Sequence, residues 1–137
     1  MKRFNTIVIA ACLFLVIASH RAHADVVVIV SAESTAPTLN TEQISRIFQG
    51  KSSLLTPVDI ASPSRIRDEF YAKVVGMDNA LVRAQWSRLI FTGKVAAPKE
   101  FRSGAELVQA VAADPNIIGY VDRSFVNMTV KVIYAVK

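Results

Sequence analysis

The sequence predicts one α/β domain built on a small mixed sheet with helices on both faces, and three observations carry that expectation. The run Asp25–Ser31, DVVVIVS, is apolar and β-branched without polar alternation, the pattern of a strand covered on both sides. Short strand-like runs then alternate with segments of helical periodicity, four of each, which is the order of an α/β chain. Once a leader is set aside, 113 residues remain, enough to bury about two-thirds of the unfolded surface around one core without a staple.

The leader is residues 1–24. Lys2 and Arg3 precede the apolar run Ile7–Ala18, and Ala22-His23-Ala24 has the small-x-small form of a cleavage site, so the mature chain is expected to begin at Asp25. Ile9-Ala10-Ala11-Cys12 could be read as a lipoprotein box, but it leaves most of the apolar run after Cys12, and soluble export is preferred. A retained anchor is disfavoured because the run is shorter than the roughly 20 residues that span a bilayer.

Cleavage changes what chemistry the chain can do. Lys2, Arg3 and Arg21 leave, so the net charge falls from +5 to +2, and no basic track with interleaved aromatics remains to suggest a nucleic acid. His20, His23 and Cys12 leave as well, and the mature chain holds neither histidine nor cysteine. That excludes Ser-His-Asp and Cys-His catalysis, imidazole and thiolate metal sites, and disulfides together. The adjacent Asp68 and Glu69 point to different helix faces and do not make an acid/base pair. The expectation is a non-enzymatic protein with no cofactor, no metal and no membrane insertion once the signal is gone.

The elements follow in order. Asp25–Ser31 is expected as a central strand. Thr41–Phe48 makes a short helix with Ile44, Ile47 and Phe48 inward, ended by Gly50. After a loop at Lys51–Leu55, Pro57–Ile60 is the second strand. A helix starts at Pro63 with Ser62 as its N-cap, carries Ile66, Phe70 and Val74 as its buried stripe and stops near Gly76. The next runs from the N-cap Asp78 through Phe91 to Gly93; Leu81, Val82, Gln85, Trp86, Leu89 and Ile90 form a wide apolar face that the sheet or another helix must cover, with Trp86 as a core anchor. Lys94–Arg102 is read as a solvated basic loop. Ala105–Ala113 is the fourth helix, stopped by Pro115, and Ile117–Val121 and Val130–Val136 are the last strands, joined through a helical turn.

The corner between Ile60 and the helix beyond it is the candidate site. The first N–H groups of a helix lack intrahelical partners and carry the positive end of its dipole, so an oxyanion can be seated there by Ser62, Ser64, Arg65 and Arg67. In α/β folds ligands gather at the carboxyl ends of strands, and this corner is one.

Three stretches, LNTEQISRIFQGK (Leu39–Lys51), SRIRDEF (Ser64–Phe70) and ELVQAVAADPNIIGYVD (Glu106–Asp122), resemble the periplasmic phosphate-binding proteins of ABC transporters and their short relatives. The likeness covers nearly all of the mature chain in the same order. It implies the fold of one lobe of a periplasmic binding protein, a periplasmic location and phosphate as the ligand. The full-length relatives are two-lobed and close around phosphate, whereas this chain resembles the central lobe alone. In the family the corresponding helix opens with Ser-Gly-Thr, preceded by an Arg and often an Asp that grip phosphate. Here Ser64 matches the serine, Arg65 and Ile66 stand where Gly and Thr would, and Ile60–Pro63 lacks the Arg.

Two functions are carried forward. One is an exported solute-binding-type domain that takes phosphate or another oxyanion weakly at Ser62–Arg67 in connection with phosphate transport. The other is a periplasmic interaction module that has lost ligand capture and uses an exposed face to form a homodimer or to dock on an envelope protein.

Overall fold

The computed structural model describes residues 25–93 and 95–137; the expected signal segment lies outside the described residues, as does Lys94. The core of the fold is a five-stranded mixed sheet in the order β3 (Lys99–Phe101), β2 (Thr56–Ile60), β4 (Ile117–Asp122), β1 (Val26–Ser31), β5 (Val130–Ala135). β1 (Val26–Ser31) is buried along its whole length and lies antiparallel to β4 (Ile117–Asp122) and to β5 (Val130–Ala135), with a bulge against β5 between Val28 and Ile29. β2 (Thr56–Ile60) runs parallel both to β4 and to β3 (Lys99–Phe101). The unbroken β-branched run of β1 is thus an interior strand, but β4 holds the centre.

Helices cover both faces, and β4 shows how. Side chains alternate across a strand. Gly119 lies under Leu107 and Val111 of α4 (Gly104–Ala113), where a Cβ would stand 2.8 Å from Leu107 Cδ2, while the next residue, Tyr120, stacks on Phe70 with ring centroids 4.0 Å apart. Phe70 ends α2 (Arg65–Phe70), and the same aromatic cluster takes in Phe48 of α1 (Thr41–Phe48) and Tyr71. α1 forms where expected because Asn40 and Gln43 make a reciprocal capping box, each bond 2.9 Å, and Gly50 follows with φ +72°. From Tyr71 to Val75 the helix after α2 widens into a π turn, closed by Gly76 at φ +75°.

Three expectations are corrected. α2 does not start at Pro63: Ser62 and Pro63 are exposed, their peptide is cis, and the N-cap is Ser64, whose extended backbone places Oγ to accept from the N–H of Arg67 at 3.2 Å. The basic loop contains β3, since pairing along the edge of β2 orders Lys99, Glu100 and Phe101 although two of them are charged. α3 (Asn79–Phe91) is capped by Asp78 as expected, yet its apolar face is only partly covered: Val82 and Trp86 are buried while Leu81 and Ile90 stay exposed. α3 rests on the end of α1, where Trp86 Nε1 donates to Phe48 O at 3.1 Å, and that contact is too narrow to cover a wide face. No helix among the described residues is long and apolar enough to cross a membrane.

Candidate functional site

The corner after Ile60 sits at the carboxyl end of β2, beside the carboxyl end of β3. Ala61 N–H donates to Phe101 O at 2.8 Å, which brings the chain leaving β2 against the chain leaving β3 just before Arg102 and Ser103. Ser103 is itself an N-cap, accepting from the N–H of Glu106 at 3.2 Å at the start of α4. Parallel strands side by side therefore set two capped helix starts at the same end of the sheet. Arg102 and Ser103 were not among the candidates read from the sequence. Ser103-Gly104 did signal a helix start, but nothing local ties it to the corner after Ile60; the β2–β3 pairing does that.

Ser64 has a defined chemical state here. Its oxygen accepts the Arg67 N–H, so the hydroxyl proton remains available to donate. Ser62 and Arg65 are exposed beside it.

Arg67 is placed differently. Its side chain turns inward and is only 5% exposed, for a physical reason found in its partners. Nη1 donates to Ile60 O at 2.9 Å and to Glu100 Oε1 at 3.3 Å, and lies 3.3 Å from Asp59 Oδ2; Nε donates to Asn79 Oδ1 at 3.2 Å. Both phenols of the aromatic cluster close on the same carboxylate, Tyr71 Oη donating to Oδ2 at 2.6 Å and Tyr120 Oη donating to Oδ1. Tyr120 Oη in turn accepts the Ile60 N–H at 3.2 Å. Among the described residues no buried side-chain polar atom lacks a partner.

The electrostatics follow from this packing. Burial pushes the Asp59 carboxyl above its ordinary range, against the two phenol donors and the Arg67 charge, which pull it back. Burial and the nearby carboxylate together push both phenols upward, so Tyr71 and Tyr120 stay protonated as donors. Burial opposes the Arg67 charge, but Asp59 and its neighbours outweigh it and the net shift is upward. The network is closed, and it fixes the direction in which β2 delivers the chain to the corner.

A cleft of about 240 Å³ opens beside this network between α3 and β3, with Asp59 and Arg67 buried at its inner end and Trp86, Ile90 and Pro98 among its walls. No group of three or more carboxylates that could hold a metal ion occurs among the described residues.

No protein-family model and no curated protein matches the chain. Solved structures do. A chain from Clostridium perfringens assigned as a phosphate ABC transporter substrate-binding protein, with bound phosphate, superposes with a TM-score of 0.64 at 19% identity, over 79% of this chain and 43% of that one. An ABC-type phosphate transport receptor from Vibrio cholerae gives 0.61 at 15% identity, over 79% and 44%. PstS from Borrelia burgdorferi gives 0.58 at 11% identity, over 79% and 46%. The chain spans less than half the length of each, and what they share with it is the fold of one lobe.

Proposed function

We propose that this chain, with the fold of one binding-protein lobe, is an exported domain of the solute-binding type. In this reading it reaches the periplasm through a cleaved signal, starts at Asp25, and takes phosphate or a related oxyanion weakly at the Ser62–Arg67 corner in connection with phosphate transport. The observation that carries the reading is Ser64, whose oxygen accepts the Arg67 N–H as the helix cap while its hydroxyl proton is left to donate, at a strand end beside the exposed Arg65. The phosphate held by the C. perfringens structure supports the choice of anion. Ser62, Ser64 and Arg65 are the ligand groups, with Arg102 and Ser103 as neighbours from the second strand end. Arg67 serves the site by holding the corner in place, its guanidinium being engaged by two carboxylates. With one lobe, the anion stays partly in water, where each bond to it is screened. Titration of the secreted form with phosphate and sulfate, followed by amide NMR, tests the reading: shifts at Ser64 to Arg67 are expected, and unmoved amides at saturating anion would remove it.

A second reading, the interaction module, is favoured by one observation. The outer half of α3 is uncovered, with Leu81, Ile90 and Phe91 exposed. Leu81 and Ile90 stand on opposite sides of the helix with Phe91 between them in angle, so it is the outward half of α3 as a whole, rather than one tight patch, that a partner would cover. Partner-free behaviour of the secreted form in every concentration and ligand regime would dismiss it.

A further inference from the structure

α3 spans thirteen residues, and its inward line is Val82, Gln85, Trp86 and Leu89. On a helix advancing about 100° per residue, the line directly opposite is Ala80, Ala84, Ser87 and Phe91. All four are exposed, and Phe91 is 94% exposed. Arg83 and Arg88 stand on the two shoulders of that line, about 140° apart. Neither has an ion-pair partner among the described residues. Along the chain the stretch from Asn79 to Lys99 has Arg83, Arg88, Lys94 and Lys99 and no acidic residue, and it is bounded by Asp78 and Glu100. Arg83 stands at the edge of the cleft that also holds Asp59 and Glu100, while Arg88 lies away from it.

We propose that this face of α3 docks a protein partner presenting an amphipathic helix with an apolar ridge between acidic flanks. The inference rests on the interaction-module reading, and its test reads α3 rather than the Ser62–Arg67 corner. Ala80 and Ala84 keep the centre of the face low, so a second helix can approach to the usual 8–10 Å between axes, about the closest that side chains allow. Phe91, at the C-terminal end of the line, supplies its one large apolar contact. Arg83 and Arg88 supply the guanidinium forks that carboxylates on both flanks would take up. The same charges argue against the α3 of a second copy, which would set four guanidiniums together with no carboxylate between them. A lipid surface fits less well, because interfacial helices present a broad row of large apolar side chains, and here two alanines and a serine precede a single phenylalanine.

The experiment uses the ¹⁵N-labelled secreted form and three probes: a synthetic helical peptide with a leucine ridge and glutamate flanks, the same peptide with lysine in place of glutamate, and phosphatidylglycerol vesicles. The glutamate peptide is expected to shift the amides of Ala80, Ala84, Ser87 and Phe91, less so as salt is raised, and the lysine peptide is not. The double variant Arg83→Glu/Arg88→Glu is expected to exchange the two preferences while leaving the thermal midpoint near that of the parent, since both side chains are exposed. Equal response to both peptides, or response to vesicles alone, overturns the acidic-helix partner. So do α3 shifts that grow with protein concentration alone, which would make a second copy the occupant. Equal response to both peptides and concentration-dependent shifts leave the interaction-module reading standing, and response to vesicles alone does not; silence of α3 toward every probe overturns the acidic-helix partner, while the module reading itself falls with partner-free behaviour of the secreted form.

Discussion

Arg67 Nη1 lies 3.3 Å from Asp59 Oδ2, and both side chains are almost wholly removed from water, at 5% and 4% exposure. A buried pair of this kind is weak evidence of net stabilisation over an apolar pair, but removing one partner strands the other. Arg67→Met is therefore expected to cost roughly 3 to 5 kcal/mol, because Asp59 loses its counter-charge inside the core. Urea denaturation of Arg67→Met, Asp59→Asn and the double variant checks it. The double variant is expected to lose clearly less than the two singles added together, and strict additivity would mean that the pair is not coupled.

The pH dependence of stability follows from the same carboxylate. Asp59 is raised above its ordinary 3.8, so the folded chain holds that proton more tightly than the unfolded chain. Its contribution is complete below pH 3.8 and is lost as the pH rises through the higher folded value. Asp122 acts in the opposite sense, lowered chiefly by the Ser124 N–H, so what it adds is present above its ordinary value and lost on acidification through the folded one. Urea midpoints measured upward from pH 3.8 are expected to fall more steeply in Asp122→Asn and to flatten in Asp59→Asn. A steeper fall in Asp59→Asn would contradict the assignment.

Gly50 and Gly93 share the same left-handed backbone, φ +72°, but not the same surroundings. A Cβ at Gly50 would stand 2.6 Å from Leu89 Cδ1 and 3.2 Å from Trp86, whereas at Gly93 nothing lies within 4 Å. Alanine at either position bears the cost of a positive φ, about 1 kcal/mol; at Gly50 the tip of Leu89 can turn aside, and the closer fit against the Trp86 ring adds on the order of 1 kcal/mol more. Gly50→Ala should also shift the emission of Trp86, the single tryptophan of the chain, because it displaces α3 from α1. Equal midpoints for the two variants would show that α3 does not press on Gly50.

Anion affinity is expected to be low. A dissociation constant on the order of 0.1 to 10 mM, equivalent to roughly 3 to 5 kcal/mol, suits one lobe in water. Ser64→Ala and Arg65→Ala should each weaken phosphate binding, and Arg102→Ala should do so if the two strand ends act together. Arg88→Ala, on α3, should not. Isothermal or NMR titration at two salt concentrations checks the order, and an equal effect of Arg88→Ala would turn the interaction into nonspecific charge attraction.

The processed form is expected to start at Asp25 without lipid. Intact mass of the secreted protein checks this; the mass of a diacylated chain starting at Cys12 would place the protein on a membrane.

Much of the fold was legible because local signals and tertiary packing agreed. The β-branched run of β1, the Ile44, Ile47 and Phe48 spacing and Gly50 stop of α1, the Asp78 cap of α3 and the Pro115 stop after α4 each encode an element within a few residues. The resemblance carried by LNTEQISRIFQGK, SRIRDEF and ELVQAVAADPNIIGYVD pointed to one binding-protein lobe, and the solved structures have that fold. The candidate site was legible only as a position. Pro63 made Ser62 the expected cap, whereas the cap is Ser64, because it is the Ser64 oxygen that meets the Arg67 N–H.

What the sequence by itself determined was the class of the domain, the order of its elements, and the absence of histidine and cysteine downstream of Ala24, because these depend on residue type and short spacing. The tertiary structure alone decided the rest. It made Lys99–Phe101 a strand by giving it an edge to pair with, and it turned Arg67 from an apparent surface cation into the buried partner of Asp59, eight residues away, and of Glu100, thirty-three residues away. It also left the outer face of α3 uncovered. The physical reason is common to all three: burial and pairing are properties of what lies opposite a residue in space, and hydrophobic periodicity reports only which side chains could be covered.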